Sequence, residues 1–140
     1  RLDLSASVEE TGHLRHPDVF AAELRKAGLL LAINFEGFSA MVPGKLYEYW
    51  AIGGAPILVL GYSRAAQKLV EQHQLGKLLA LDDVQGIANA LMYYCREFAA
   101  NKPVRISRAG VQSYDRAVLT AALVQELESV ASVHSKRGAV

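Results

Sequence analysis

The stretch Pro43-Gly44-Lys45-Leu46-Tyr47-Glu48 carries residue types whose spacing could bind a phosphorylated ligand. Pro43 suits a helix start, because its missing N–H would have no intrahelical partner there. Gly44 is a poor helix former, worse than alanine by about 1 kcal/mol in an interior, and in a first turn it removes a side chain where another group could approach the backbone. Lys45 then places a cation at the positive end of the helix dipole, where cations are unfavourable by a few tenths to about 1 kcal/mol. A bound phosphate on the free first-turn N–H groups would reverse that sign. Glu48 lies three residues on, on the same helix face. Its carboxylate can accept two hydrogen bonds side by side, as the vicinal hydroxyls of a ribose or sugar require. Phosphate at the tip and a diol one turn deeper describe a nucleoside diphosphate. The competing explanation is a surface i,i+3 ion pair, worth a few tenths of a kcal/mol.

Other residues offer weaker chemistry. His13 and His16 share a loop, but two histidines without a third ligand nearby are a thin case for a metal. Ser63 in Leu60-Gly61-Tyr62-Ser63-Arg64-Ala65 fits the spacing of a hydrolase nucleophile elbow, with Asp115 and His134 in the matching chain order. A helix cap at Ser63 accounts for the same residues more simply. Cys95 is the single cysteine, so no intrachain disulfide can form and a reducing compartment fits. It falls on the apolar side of an expected helix, which predicts a small buried side chain.

The elements that must position these residues follow from the apolar pattern. Strand-length apolar runs alternate with amphipathic stretches. A weak strand is expected at 5–11, a helix at 18–28 with Pro17 near its first turn and Gly28 as its stop, and a strand at 29–35 buried on both faces. A helix at 44–52, a buried strand at 55–60, a helix at 63–74 and a short strand at 77–81 follow. Asp82 and Asp83 open a helix in which Val84, Ile87, Leu91, Tyr94 and Phe98 form one core-facing stripe. A last helix, capped by Ser113, aligns Leu119, Leu123 and Leu127 and ends near Val133. This alternation predicts an α/β fold, with a Rossmann-like parallel sheet flanked by helices. Ligands of such sheets bind at the carboxyl ends of the strands, where the strand order reverses, which directs attention to loops 12–17, 35–44, 61–64 and 81–83.

The chain has 140 residues, about the length of one domain. Half of them are hydrophobic (51%) and a fifth charged (21%), as in ordinary globular proteins. The net charge of +1, with both signs interspersed, gives no nucleic-acid footprint. No apolar run approaches the roughly 20 residues of a membrane span. The opening residues lack a signal-peptide layout and an initiator methionine, and read as a cut from something longer.

The block Pro43-Gly44-Lys45-Leu46-Tyr47-Glu48-Tyr49-Trp50-Ala51-Ile52-Gly53-Gly54-Ala55-Pro56-Ile57-Leu58 resembles the signature region in the C-terminal, donor-binding domain of GT-B fold, family 4-like glycosyltransferases. Gly44, Lys45, Leu46, Glu48, Tyr49, Ala51, Gly53, Pro56, Ile57 and Leu58 match that family's pattern. Similarity extends to the Gly12-His13-Leu14 loop, to Leu81-Asp82-Asp83 and its helix, and to the helix after Ser113, covering most of 8–131. The resemblance implies the C-terminal half of a GT-B fold, truncated at its N-terminal side, with 1–133 a partial donor-binding domain and 134–140 a disordered tail. In a family order of 3-2-1-4-5-6, the strand at 6–11 would be the third, so the first two are missing from this chain.

The resemblance also implies a nucleotide-diphosphate sugar donor. Gly44, Lys45 and Leu46 would meet its diphosphate, Glu48 its ribose, and Gly12, His13 and Leu14 its base. Glu36 would be a sugar contact only, since its separation from Glu48 departs from the family's paired glutamates. No cofactor or metal is implied. The acceptor, a sugar or lipid-linked group, would be bound by an N-terminal domain outside this chain, so the chain alone is expected to be inactive. Localisation is expected in the cytoplasm, with attachment at the inner membrane face through the parent protein left open. The alternatives are a sugar-nucleotide epimerase of the same fold and a non-catalytic α/β binding domain of receiver-like shape, for which Glu9 and Glu10 could be offered as the acidic pair.

Overall fold

A computed structural model describes residues 6–9, 17–34 and 40–137. Its elements run α1 (Pro17–Lys26), β1 (Leu30–Ile33), α2 (Gly44–Ile52), β2 (Ile57–Leu60), α3 (Arg64–Gln72), β3 (Gly76–Leu79), α4 (Val84–Ala99), a 3-10 turn (Val111–Tyr114) and α5 (Arg116–Arg137). The strands form one parallel sheet in the order β1-β2-β3, with Leu30 beside Ile57 and Ile57 beside Gly76. The α/β class and the parallel, helix-flanked sheet are therefore as the alternating pattern predicts.

One sheet face carries the main core. Leu30, Ala32, Ile57 and Val59 pack there against Leu46, Tyr49 and Trp50 of α2 and Ala66, Leu69 and Val70 of α3. Both crossover helices thus lie on the same face, as right-handed connections stepping in one direction require. The opposite face is thinner, with Leu58 covered by Ala90 and Tyr94 of α4. β2 is central and buried on both sides.

Several sequence expectations are corrected. Residues 6–9, part of the strand expected at 5–11, form a turn and irregular, exposed chain; among the described residues no neighbouring strand offers them a ladder. β1 is not buried on both faces, since Leu31 and Ile33 are about half exposed (50% and 53%). Among the described residues it is an edge strand, and α4 covers the second face over β2 and β3, leaving Leu31 and Ile33 uncovered. The same narrow sheet thins the α4 stripe: Ala90 and Tyr94 are buried, while Val84, Leu91 and Phe98 are exposed. Cys95, one position past Tyr94, turns outward and is an exposed free thiol.

At α5 the cap is Asp115 and not Ser113. Its carboxylate accepts from the Ala117 N–H at 2.8 Å, while Ser113 is taken up in the 3-10 turn. α5 continues to Arg137, past the expected end near Val133, with Leu119, Leu123 and Leu127 exposed. Caps elsewhere match their side chains. Ser63 accepts from Ala66 N–H at 3.1 Å, and Asp83 from Gly86 N–H at 2.8 Å.

Candidate ligand site at the tip of α2

α2 begins where the sequence pattern places it, and its start is bare. Pro43 sits at the N-cap with no side-chain hydrogen bond to the helix, and the first turn holds no acidic residue. Among the described residues no capping side chain and no first-turn acid therefore offsets the positive end of the dipole. Gly44 is exposed, and a Cβ added to it would meet no atom within 4 Å. Its backbone is not in the left-handed region, where glycine would be required. Among the described residues, neither conformation nor packing calls for a glycine at this position.

Two hydrogen bonds fix where the tip lies relative to the sheet. The Ser63 hydroxyl, fully buried, donates to the Met41 carbonyl at 2.6 Å. The Asn34 amide, also buried, donates to the Tyr62 carbonyl at 3.2 Å. Asn34 follows β1, Tyr62 and Ser63 follow β2, and Met41 leads into α2. These contacts hold the approach to Gly44 against the carboxyl ends of β1 and β2, the side on which parallel sheets bind ligands. The order β1-β2-β3 does not reverse among the described residues, so the switch-point crevice itself is not among them.

The side chains of the predicted site divide. Leu46 is fully buried in the core, so only its backbone N–H can serve a ligand, and that N–H also reaches the Pro43 carbonyl at 2.9 Å. Lys45 and Glu48 are exposed. They do not form the surface ion pair that the i,i+3 spacing allows: the Lys45 ammonium lies over the Tyr49 ring, 5.9 Å from its centroid. Glu48 lines an open cleft of about 360 Å³ with Tyr47, Arg108, Gln112 and Arg116. Gly12, His13, Leu14 and Glu36 lie outside the described residues.

Sequence reasoning missed the segment at 107–114 that braces α2. Trp50, completely buried, donates from its indole to the Ser107 carbonyl at 2.9 Å. It stacks at 4.4 Å on His73 and at 5.5 Å on Tyr114. Tyr47 meets Tyr114 at 5.3 Å, and burial, then the neighbouring Tyr114, pushes the Tyr47 hydroxyl above its usual pKa. The sequence from 101 to 112 is irregular in pattern; only the paired aromatics Tyr47 and Trp50, three residues apart in α2, hinted at a partner.

Ser63 is no nucleophile in this arrangement. It is fully buried, both donating and accepting hydrogen bonds, and its φ of −154° is ordinary extended backbone, unlike the strained elbow of hydrolases. Among the described residues no group of three or more His, Cys, Asp or Glu could hold a metal ion, and no helix is long and apolar enough to cross a membrane. Comparison with protein-family models, curated proteins and solved structures found no match for this chain.

Proposed function

We propose that this chain is the donor-binding portion of a glycosyltransferase that moves a sugar from a nucleotide-diphosphate donor to an acceptor. Gly44 carries the proposal: it stands exposed beside the strand ends, at a helix tip that no described side chain caps, with no described residue packed over it to call for a glycine. A pyrophosphate approaching those amides supplies the reason. It also makes the placement of Lys45 favourable, since an ammonium then faces an anion. The resemblance of residues 43–58 to the donor-site signature of GT-B glycosyltransferases supports the same assignment and adds the sugar.

In this function the tip stabilises charge on the departing nucleoside diphosphate as the glycosidic bond breaks, an electrostatic contribution from preorganised N–H donors. Glu48, one turn deeper, accepts hydrogen bonds from the ribose hydroxyls. Base contacts at Gly12, His13 and Leu14 and a sugar contact at Glu36 complete the proposed donor site. Transfer needs the acceptor-binding domain of a longer protein, and the 140-residue chain alone is expected to bind without turning over.

Replacing the carboxylate tests the ribose contact. Glu48→Ala should weaken nucleoside diphosphate binding by about 1 kcal/mol, below the roughly 1.5–3 kcal/mol of a buried charge-assisted hydrogen bond because Glu48 is exposed, and leave inorganic pyrophosphate binding unchanged. Equal calorimetric affinity of both proteins for the nucleotide would refute the role of Glu48.

A further inference from the structure

We propose a second ligand site beside the first: an open cleft that binds a small organic phosphate, with Arg64 and Lys68 holding its anionic group and Tyr62 its organic part. The cleft measures about 580 Å³ and is lined by Ala40, Tyr62, Arg64, Ala65 and Lys68. Among the described residues its lining holds two cations and no acid. Arg64 is the first residue of α3 and Lys68 lies four residues on, so the two basic side chains share one helix face.

In the free protein this arrangement is unfavourable twice over. Like charges at i,i+4 repel, and Arg64 stands at the positive end of the α3 dipole, whose first turn holds no acidic residue. Neither Arg64 nor Lys68 has an ion pair or side-chain hydrogen bond among the described residues; the nearby Glu71 instead accepts from Gln67 at 2.9 Å. An anion between the two cations removes both penalties. Tyr62, 54% exposed, adds a ring on which the apolar face of a sugar or a similar organic group can stack.

The walls are held in place before any ligand arrives. The Asn34 amide ties the Tyr62 carbonyl to the end of β1, and the Ser63 hydroxyl ties the rim at Met41 to the cap of α3. Gly61, with φ +112°, is needed for this turn, because a Cβ there would collide with the Asn34 carbonyl. Ala40, which lines the cleft, directly precedes Met41 on the approach to α2. A ligand in the cleft would lie beside that approach.

The test is a titration of the 140-residue chain with glucose 6-phosphate and with inorganic phosphate, followed at backbone amides by NMR. Saturable shifts are expected at Tyr62, Arg64 and Ala65. The double variant Arg64→Gln/Lys68→Gln should weaken glucose 6-phosphate binding about tenfold or more, through loss of charge-assisted contacts. Tyr62→Ala should weaken glucose 6-phosphate but not inorganic phosphate. Absence of saturable shifts at those amides, or unchanged affinity in the double variant, overturns the cleft as an anion site. Equal effects of Tyr62→Ala on both probes overturn the organic contact. A nucleoside diphosphate is read separately at Gly44 and Lys45, so failure of the donor site and failure of the cleft give different spectra.

Discussion

Gly44→Ala should strengthen the fold and damage the ligand site, two effects of opposite sign from one methyl group. The stability gain follows from the surroundings of Gly44. Beyond its chain neighbours and its own helix backbone, no described atom lies within 4 Å of the new Cβ, and the backbone is not left-handed, so alanine enters without strain. Removing glycine's extra freedom from the unfolded chain is then worth about 0.4–1 kcal/mol. Helix propensity acts in the same direction, though less at a first turn than in an interior. A net gain of about 0.5 kcal/mol corresponds to a Tm rise of about 2 °C for a domain of this size. For the ligand the same methyl occupies the space through which a phosphate oxygen reaches the first-turn amides at about 2.9 Å. Losing one charge-assisted hydrogen bond amounts to about 1.5–3 kcal/mol, or roughly tenfold or more in Kd.

The protein supplies its own probe for this experiment. Trp50 is the sole tryptophan and is completely buried, so its emission reports urea unfolding with and without nucleoside diphosphate. The wild type should gain stability from the nucleotide through linkage, and Gly44→Ala should gain much less from a higher starting point. A variant that unfolds more easily than wild type would refute the open tip. A variant that is stabilised by nucleotide as strongly as wild type would refute the ligand's approach over Gly44.

Three further outcomes are expected. Ser63→Ala removes the α3 cap and leaves the Met41 carbonyl without its hydroxyl donor; urea titration should show a loss of about 1–2 kcal/mol, and wild-type Ser63 should resist fluorophosphonate labelling. Burial, then the neighbouring Tyr93, raises the pKa of Tyr94, so the unfolded chain releases that proton first as pH rises. The stabilisation is thus complete below the unfolded tyrosine value of about 10 and is lost as pH climbs through the folded one. Tm measured from pH 8 upward should decline less steeply in Tyr94→Phe than in wild type. Cys95, exposed, should react with a thiol reagent in the native protein at the rate it shows after denaturation, within about tenfold; a strongly protected thiol would contradict the outward turn of α4 at that residue.

Local punctuation made α2 and α3 legible from sequence. Pro43 and Gly44 mark one start, Ser63 the next, and each of these signals acts within a single turn of chain. Burial was less legible because it depends on neighbours far away in sequence. The continuous run at 29–33 reads the same whether its strand is central or at an edge, and only the sheet order exposes Leu31 and Ile33. The α4 stripe fails for the same reason: helical periodicity identifies a face, but the width of the sheet beneath determines how much of that face is covered. Asp115 displaced Ser113 as cap because a 3-10 turn intervenes, a short element with no periodic signature. At the site, Gly44, Lys45 and Glu48 were visible as residues that a bare helix disfavours or a diol would want. The cleft at Arg64 obeys the same rule, a cation in a first turn, but its second wall comes from Ala40, which chain order alone does not bring near.

The most direct measurement of the central claim is an NMR titration of the chain with uridine, guanosine and adenosine diphosphates, alongside the matching nucleosides. One diphosphate should shift the amides of Gly44, Lys45 and Leu46 in a saturable way, while its nucleoside leaves them in place. Unmoved amides at about 10 mM nucleotide, a concentration that reveals binding as weak as about 3 kcal/mol, would contradict it.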